Sequence, residues 1–256
     1  MDEKDEILAA IEWEGSFPED ADEKWLRDMD IIRALASVEP WNYEEFPKEI
    51  QNDREIALEC VKMRGDVYEY LPEALLADEE IAEEAVRHGL SLKKINPKTA
   101  EKLLCRADLV HTAIEENDGN EMIYADKTLW NQKELAEFAL DRGFCHLRHL
   151  PENLASDKET VKRVIRNMSE KSESEEYWQI QYLPEQLRFD KDFLLELIGL
   201  QEKVFQTMVQ MWKNPITEKE SSKFPELDEV FCKKAYAANK KCLKYMSKEM
   251  KAAVKA

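Results

Sequence analysis

A column pattern that recurs about every 25 residues constrains this chain more than any other feature of its sequence. Four phrases each place a Pro six residues ahead of an Asp. They are Phe46-Pro47-Lys48-Glu49, Leu71-Pro72-Glu73-Ala74, Leu150-Pro151-Glu152-Asn153 and Leu183-Pro184-Glu185-Gln186, and the Asp residues are Asp53, Asp78, Asp157 and Asp190. With Asp78 as position zero, positions 3, 4, 7 and 8 are Ile81, Ala82, Ala85 and Val86, position 2 is Glu80 and position 11 is Gly89. Gln132, Asp157, Asp53 and Asp190 lead the same apolar columns, and Lys4, Asp28 and Arg106 lead weaker copies. The starts at 4, 28, 53, 78, 106, 132, 157 and 190 are 24, 25, 25, 28, 26, 25 and 33 residues apart.

Each column has a mechanical reading. Apolar residues at 3, 4, 7 and 8 form one stripe of a helix. An Asp at zero is an N-cap, because its carboxylate accepts a first-turn N–H. Position 2 is acidic in all eight copies (Glu6, Asp30, Glu55, Glu80, Asp108, Glu134, Glu159 and Asp192), which suits the positive end of the helix dipole. Gly near position 11 suits a left-handed C-cap, and Gly15, Gly65, Gly89 and Gly143 fall at or beside that column. The Pro suits the first turn of a shorter preceding helix. Each unit is therefore a short helix followed by one of about three turns. A single unit cannot bury its stripe alone, so neighbours must stack.

The expected fold is all-α: a right-handed, α-solenoid-like stack of about eight degenerate helix-pair repeats, closed by a C-terminal capping helix. The expected organisation is a repeat domain over 1–212, a linker over 213–227 and a basic helix over 228–256 packed on the last repeat. Ser169 to Glu176, rich in Ser, Glu and Lys, reads as a protruding loop.

The Leu-Pro-Glu-x-Leu…Asp-x-Glu units resemble the helical repeats of the domain of unknown function 4116 family. The resemblance runs over roughly 28–200 and is clearest at 71–89, 150–165 and 183–198. It implies a helical repeat and brings no catalytic residues with it.

Chemistry-bearing motifs are few. A phosphate-cradling loop needs several Gly close together, and the six Gly here are accounted for by helix ends and an Asn-Asp-Gly turn. Cys145-His146-Leu147-Arg148-His149 has metal-ligand residue types. It lies in an inter-helix linker, however, where His149 shares a column with Tyr70, Tyr124 and Tyr182. No metal site, cofactor or catalytic residue is expected. Glu116-Asn117-Asp118-Gly119-Asn120-Glu121 lacks the ligand spacing of a calcium loop and reads as a turn. The five Cys contain no C-x-x-C pair, and several sit at apolar helix positions, where Cys acts as a small hydrophobe.

Charge is the other lead. The net charge is −18, which repels nucleic acid and anionic lipid and favours a basic partner. Residues 1–30 carry 12 acids and three bases, whereas residues 233–256 carry eight Lys and one acid. The N-terminus lacks the features of a signal peptide, and no apolar run is long enough to span a membrane. The expectation is a non-enzymatic, cytoplasmic protein-interaction module that binds a basic protein surface. It involves no direct nucleic acid, membrane or small-molecule substrate, and Tyr70, Tyr124, His149 and Tyr182 are candidate anchors. The alternative is an inhibitor or immunity protein that mimics nucleic acid and blocks a nuclease or defence complex.

Overall fold

The apolar columns do form helix stripes. In the computed structural model, which describes residues 3–168, 180–213 and 227–255, every regular element among the described residues is helical. The chain divides into two compact units, Met1–Arg142 and Gly143–Ala256. The expected Ser169–Glu176 loop and most of the expected 213–227 linker lie outside the described residues.

In the first unit the long helices are Glu3–Glu14, Met29–Val38, Arg54–Met63, Glu79–Arg87, Ala107–Glu116 and Lys133–Asp141. Each packs against the next in sequence. Their stripes are the core: Ile31, Ile32, Leu35 and Ala36, then Ile81, Ala82, Ala85 and Val86, then Leu109, Val110, Ala113 and Ile114, are all fully buried. In the second unit the Lys191–Leu200 helix packs against Lys158–Asn167, Glu202–Lys213 and Glu229–Ala238. Its stripe of Phe193, Leu194, Leu197 and Ile198 is buried.

The caps follow the columns. Asp28, Asp53, Asp78 and Asp190 each accept the N–H groups of the residues two and three ahead. Asp157 accepts from Thr160 N at 2.7 Å. Where the column holds Arg106 or Gln132, no side-chain cap forms. Pro47, Pro72, Pro151 and Pro184 sit at the N-cap of four-residue helices, one position ahead of the expected first turn.

Three expectations need correction. First, the repeat is not a simple pair, because 3-10 helices at Pro40–Glu45, Gly65–Tyr70, Leu92–Lys94 and Leu147–His149 precede the short helices. Second, only Gly15, Gly89 and Gly143 take the left-handed conformation. Gly65 instead donates its N–H to His88 O of the next repeat at 3.0 Å. A Cβ on Gly65 would stand 2.2 Å from Ala85 O, 2.6 Å from His88 O and 2.8 Å from Leu90 N. Gly119 makes the matching bond, to Arg142 O at 2.9 Å. At Gly65 the absent side chain lets consecutive repeats approach. Third, residues 228–255 are not one helix. They form a Glu229–Ala238 helix, a Lys240–Tyr245 3-10 helix and a Lys248–Lys255 helix. The break falls at Asn239, whose side chain accepts Lys241 N–H and donates to Ile198 O. Asp228 caps Phe231 N at 2.7 Å, and Phe231, Cys232 and Ala235 are buried. The segment thus repeats the column pattern once more.

Candidate interaction surface

The acids at positions 0 and 2 do more than cap helices, because they receive cations from the preceding repeat. Lys4 Nζ reaches Asp28 at 2.9 Å and Asp30 at 2.6 Å. Arg54 reaches Asp78 at 2.7 Å and also pairs with Glu80. In the second unit Lys158 Nζ lies 2.7 Å from Asp190. Hydrogen bonds from Lys4 and from Arg54 hold the Asp28 and Asp78 carboxyls below the usual carboxylate range. A second set of pairs joins Arg33 to Glu59, Arg106 to Glu83 and Lys102 to Glu79. The basic residue just after the cap, Arg54 or Lys158, is the sequence signal for this ladder.

Charge divides unequally between the units. Residues 1–142 hold 37 acids against 17 bases, a net of −20, and residues 143–256 hold 18 acids against 20 bases, a net of +2. Eleven bases of the first unit (Lys4, Lys24, Arg27, Arg33, Arg54, Arg64, Arg87, Lys94, Lys98, Lys102 and Arg106) already face carboxylates. The remaining acid excess has no internal counterpart of similar size.

Tyr70 and Tyr124 are half-buried in the first unit, and His149 is half-buried in the second. Tyr182, also in the second unit, is 46% exposed. They therefore do not gather on one compact body. Arg148 Nε donates to His149 Nε2 at 2.8 Å, and the His146 and His149 rings meet edge to face with centroids 6.1 Å apart. Among the described residues no group of three or more His, Cys, Asp or Glu converges as metal ligands would.

Tyrosines two residues earlier in the linker, which sequence reasoning missed, have a clear scaffold role. Tyr43 and Tyr68 are buried, and their hydroxyls donate to Gln51 O at 3.0 Å and Leu76 O at 2.6 Å. Both lie ten residues ahead of a capping Asp, and that shared offset was the available signal. Other buried polar groups are also committed to the scaffold. Asn42 donates to Gly15 O and Leu35 O, and Gln51 donates to Glu44 O and Phe46 O. Glu121 accepts Leu92 N–H at 2.7 Å, and Glu202 accepts from Lys244 at 3.0 Å. In the Glu116–Glu121 segment, Asp118 caps Asn120 N and Glu121 points into the core. Cys60 and Cys242 are buried, and burial pushes both thiols up to about 12, which keeps them protonated.

Residues 53–98 match the family described as Domain of unknown function (DUF4116). The matched segment begins at the Asp53 cap and runs through the Glu79–Arg87 helix into the short helix that starts at Pro97. One DUF4116 match thus takes in two of the long helices and the inter-repeat contact made by Gly65. No curated protein and no solved structure matches the chain. No helix among the described residues is long and apolar enough to cross a membrane.

Proposed function

We propose that this chain is a non-enzymatic interaction module whose first unit binds a basic protein surface. The carrying observation is the net charge of −20 on residues 1–142, against +2 on residues 143–256. Most cations of the first unit are already used in pairs between or within repeats, so an external cationic surface is the natural complement. Within each unit the repeats stack as a right-handed, solenoid-like array. Sequential packing of the long helices supports this, and such arrays present extended surfaces to partners. Action by binding rather than chemistry fits the commitment of Asn42, Gln51, Glu121 and Glu202 to structural bonds.

The test is titration of the full chain with two 14-residue synthetic peptides, one of alternating Lys and Ser and one of alternating Glu and Ser. Binding of the Lys/Ser peptide should weaken steeply between about 50 and 200 mM salt, where the Debye length shortens to below about 10 Å. The Glu/Ser peptide should not bind. Equal affinity for the two peptides, or salt-insensitive binding, would overturn the proposal.

A further inference from the structure

Large apolar side chains that stand in water call for an explanation when they cluster. Trp13 is 89% exposed, Trp41 49% and Met63 41%. They come from three consecutive repeats of the first unit, at the C-terminal end of the Glu3–Glu14 helix, in the following Pro40–Glu45 turn and at the end of the Arg54–Met63 helix. Two direct bonds tie together the chain segments that carry them. Asn42, next to Trp41, donates its Nδ2–H to Gly15 O at 2.9 Å, two residues beyond Trp13. Arg64, next to Met63, donates its guanidinium to Val38 O, three residues before Trp41.

Helices pack about 8–10 Å apart, so three consecutive repeats spread these side chains over about 20 Å. Acids are close to them in sequence. Glu12, Glu14, Glu44 and Glu45 are exposed and enter none of the ion pairs among the described residues. Of the two bases beside Met63, Arg64 is engaged by Asp66 at 3.0 Å and Lys62 is exposed. Exposed Trp and Met with carboxylates beside Trp13 and close to Trp41 in sequence have the composition of an interface centre with a charged rim.

We infer that the Trp13–Trp41–Met63 edge is the docking site for a basic polypeptide segment that carries apolar anchors among its lysines or arginines. This inference rests on the charge reading above and deepens it by naming where the partner seats and what else it must carry. Charge complementarity selects a basic segment over the first unit of a second copy, which bears the same negative sign. A span of about 20 Å corresponds to about 13 residues of helix, long enough to present apolar groups at i, i+4 and i+7 or beyond.

The experiment compares two 14-residue probes of equal charge on the full chain, a Lys/Leu amphipathic peptide and the Lys/Ser peptide. Binding is followed at about 150 mM salt, against wild type, Trp13→Ala, Trp13→Ala with Trp41→Ala, and Tyr182→Ala. The Lys/Leu peptide should bind the wild type at least about tenfold more tightly than Lys/Ser, the scale of one interface hot spot. Trp13→Ala should erase most of that gain, and Tyr182→Ala should leave it intact. Trp13 is so exposed that its removal should leave the melting curve unchanged, so the single variant decides the matter even if Trp41→Ala destabilises the fold. If Lys/Ser binds in a salt-sensitive manner but Lys/Leu gains nothing, or its gain survives Trp13→Ala, the docking edge is wrong and the charge reading stands. If neither peptide binds, both fail. Concentration-dependent dimerisation of the wild type that Trp13→Ala abolishes would overturn the inference in favour of a second copy.

Discussion

Replacing Gly65 with alanine puts a methyl group where three backbone atoms already stand, 2.2 Å from Ala85 O, 2.6 Å from His88 O and 2.8 Å from Leu90 N. Backbone cannot swing aside as a flexible side chain can, so the repeats must separate. Overpacking of this kind costs about 1–3 kcal/mol. Separation also weakens the Gly65 N–H to His88 O bond, now 3.0 Å long, with a net loss of about 1 kcal/mol. The expected destabilisation is about 3 kcal/mol, or about 6–12 °C in melting temperature for a unit of this size. Urea unfolding followed by circular dichroism gives the free energy, and hydrogen exchange locates it in the Glu79–Arg87 helix and its neighbours. Gly89→Ala is the control: its φ of +96° strains an L-residue, but nothing lies within 4 Å of the added Cβ. It should cost only the left-handed penalty of about 1–2 kcal/mol. A Gly65→Ala protein within about 0.5 kcal/mol of wild type would refute the reasoning that this glycine exists to let repeats touch.

Tyr68→Phe removes a hydroxyl that donates to Leu76 O and accepts from Asn96 N, so it should lose about 1–2 kcal/mol in urea unfolding. Asp78→Ala should cost about 1 kcal/mol through its lost cap, whereas Asp78→Asn, which keeps the cap acceptor, should lose only the Arg54 pairing and cost less. Arg54→Met should flatten the acid limb of the stability profile. Asp78, held low chiefly by its hydrogen bond from Arg54, stabilises the fold above the unfolded carboxylate pKa, and that contribution disappears as pH falls through the folded value. Glu121 has the opposite sign, because burial raises its pKa. It favours the fold most below the unfolded Glu value of about 4.3, and this advantage is lost as pH rises through the raised folded value. Glu121→Gln keeps an oxygen for the Leu92 N–H and should gain on wild type as pH climbs from about 4 toward 7. Parallel wild-type and variant curves would contradict that sign.

The parts of the fold with a period were legible in the sequence. Ile81, Ala82, Ala85 and Val86 recur at helical spacing and are buried, and Asp53, Asp78 and Asp190 cap as their column implied. The 3-10 helices were not legible, because segments such as Gly65–Tyr70 carry no helical stripe and are set by the tyrosine and backbone ties between repeats. Gly65 looked like a C-cap because it sits beside that column, and only the approach of Ala85 and His88 reveals its other use. The single C-terminal helix failed for a related reason. Its lysines hid a repeat that Asp228 opens and Asn239 interrupts. The surface was the least legible part. Tyr70, Tyr124, His149 and Tyr182 share a column but fall on two units, whereas Trp13, Trp41 and Met63 share no column, and the Asn42 and Arg64 bonds that tie their segments have no sequence signature.

Hydrogen-exchange mass spectrometry of the full chain, with and without the Lys/Leu peptide, tests the central claim most directly. The acidic first unit as binding surface predicts slowed exchange within residues 3–70, centred on the Trp13, Trp41 and Met63 edge, and no change over residues 229–255. Protection that appears in residues 229–255 instead, or no protection at saturating peptide, would contradict it.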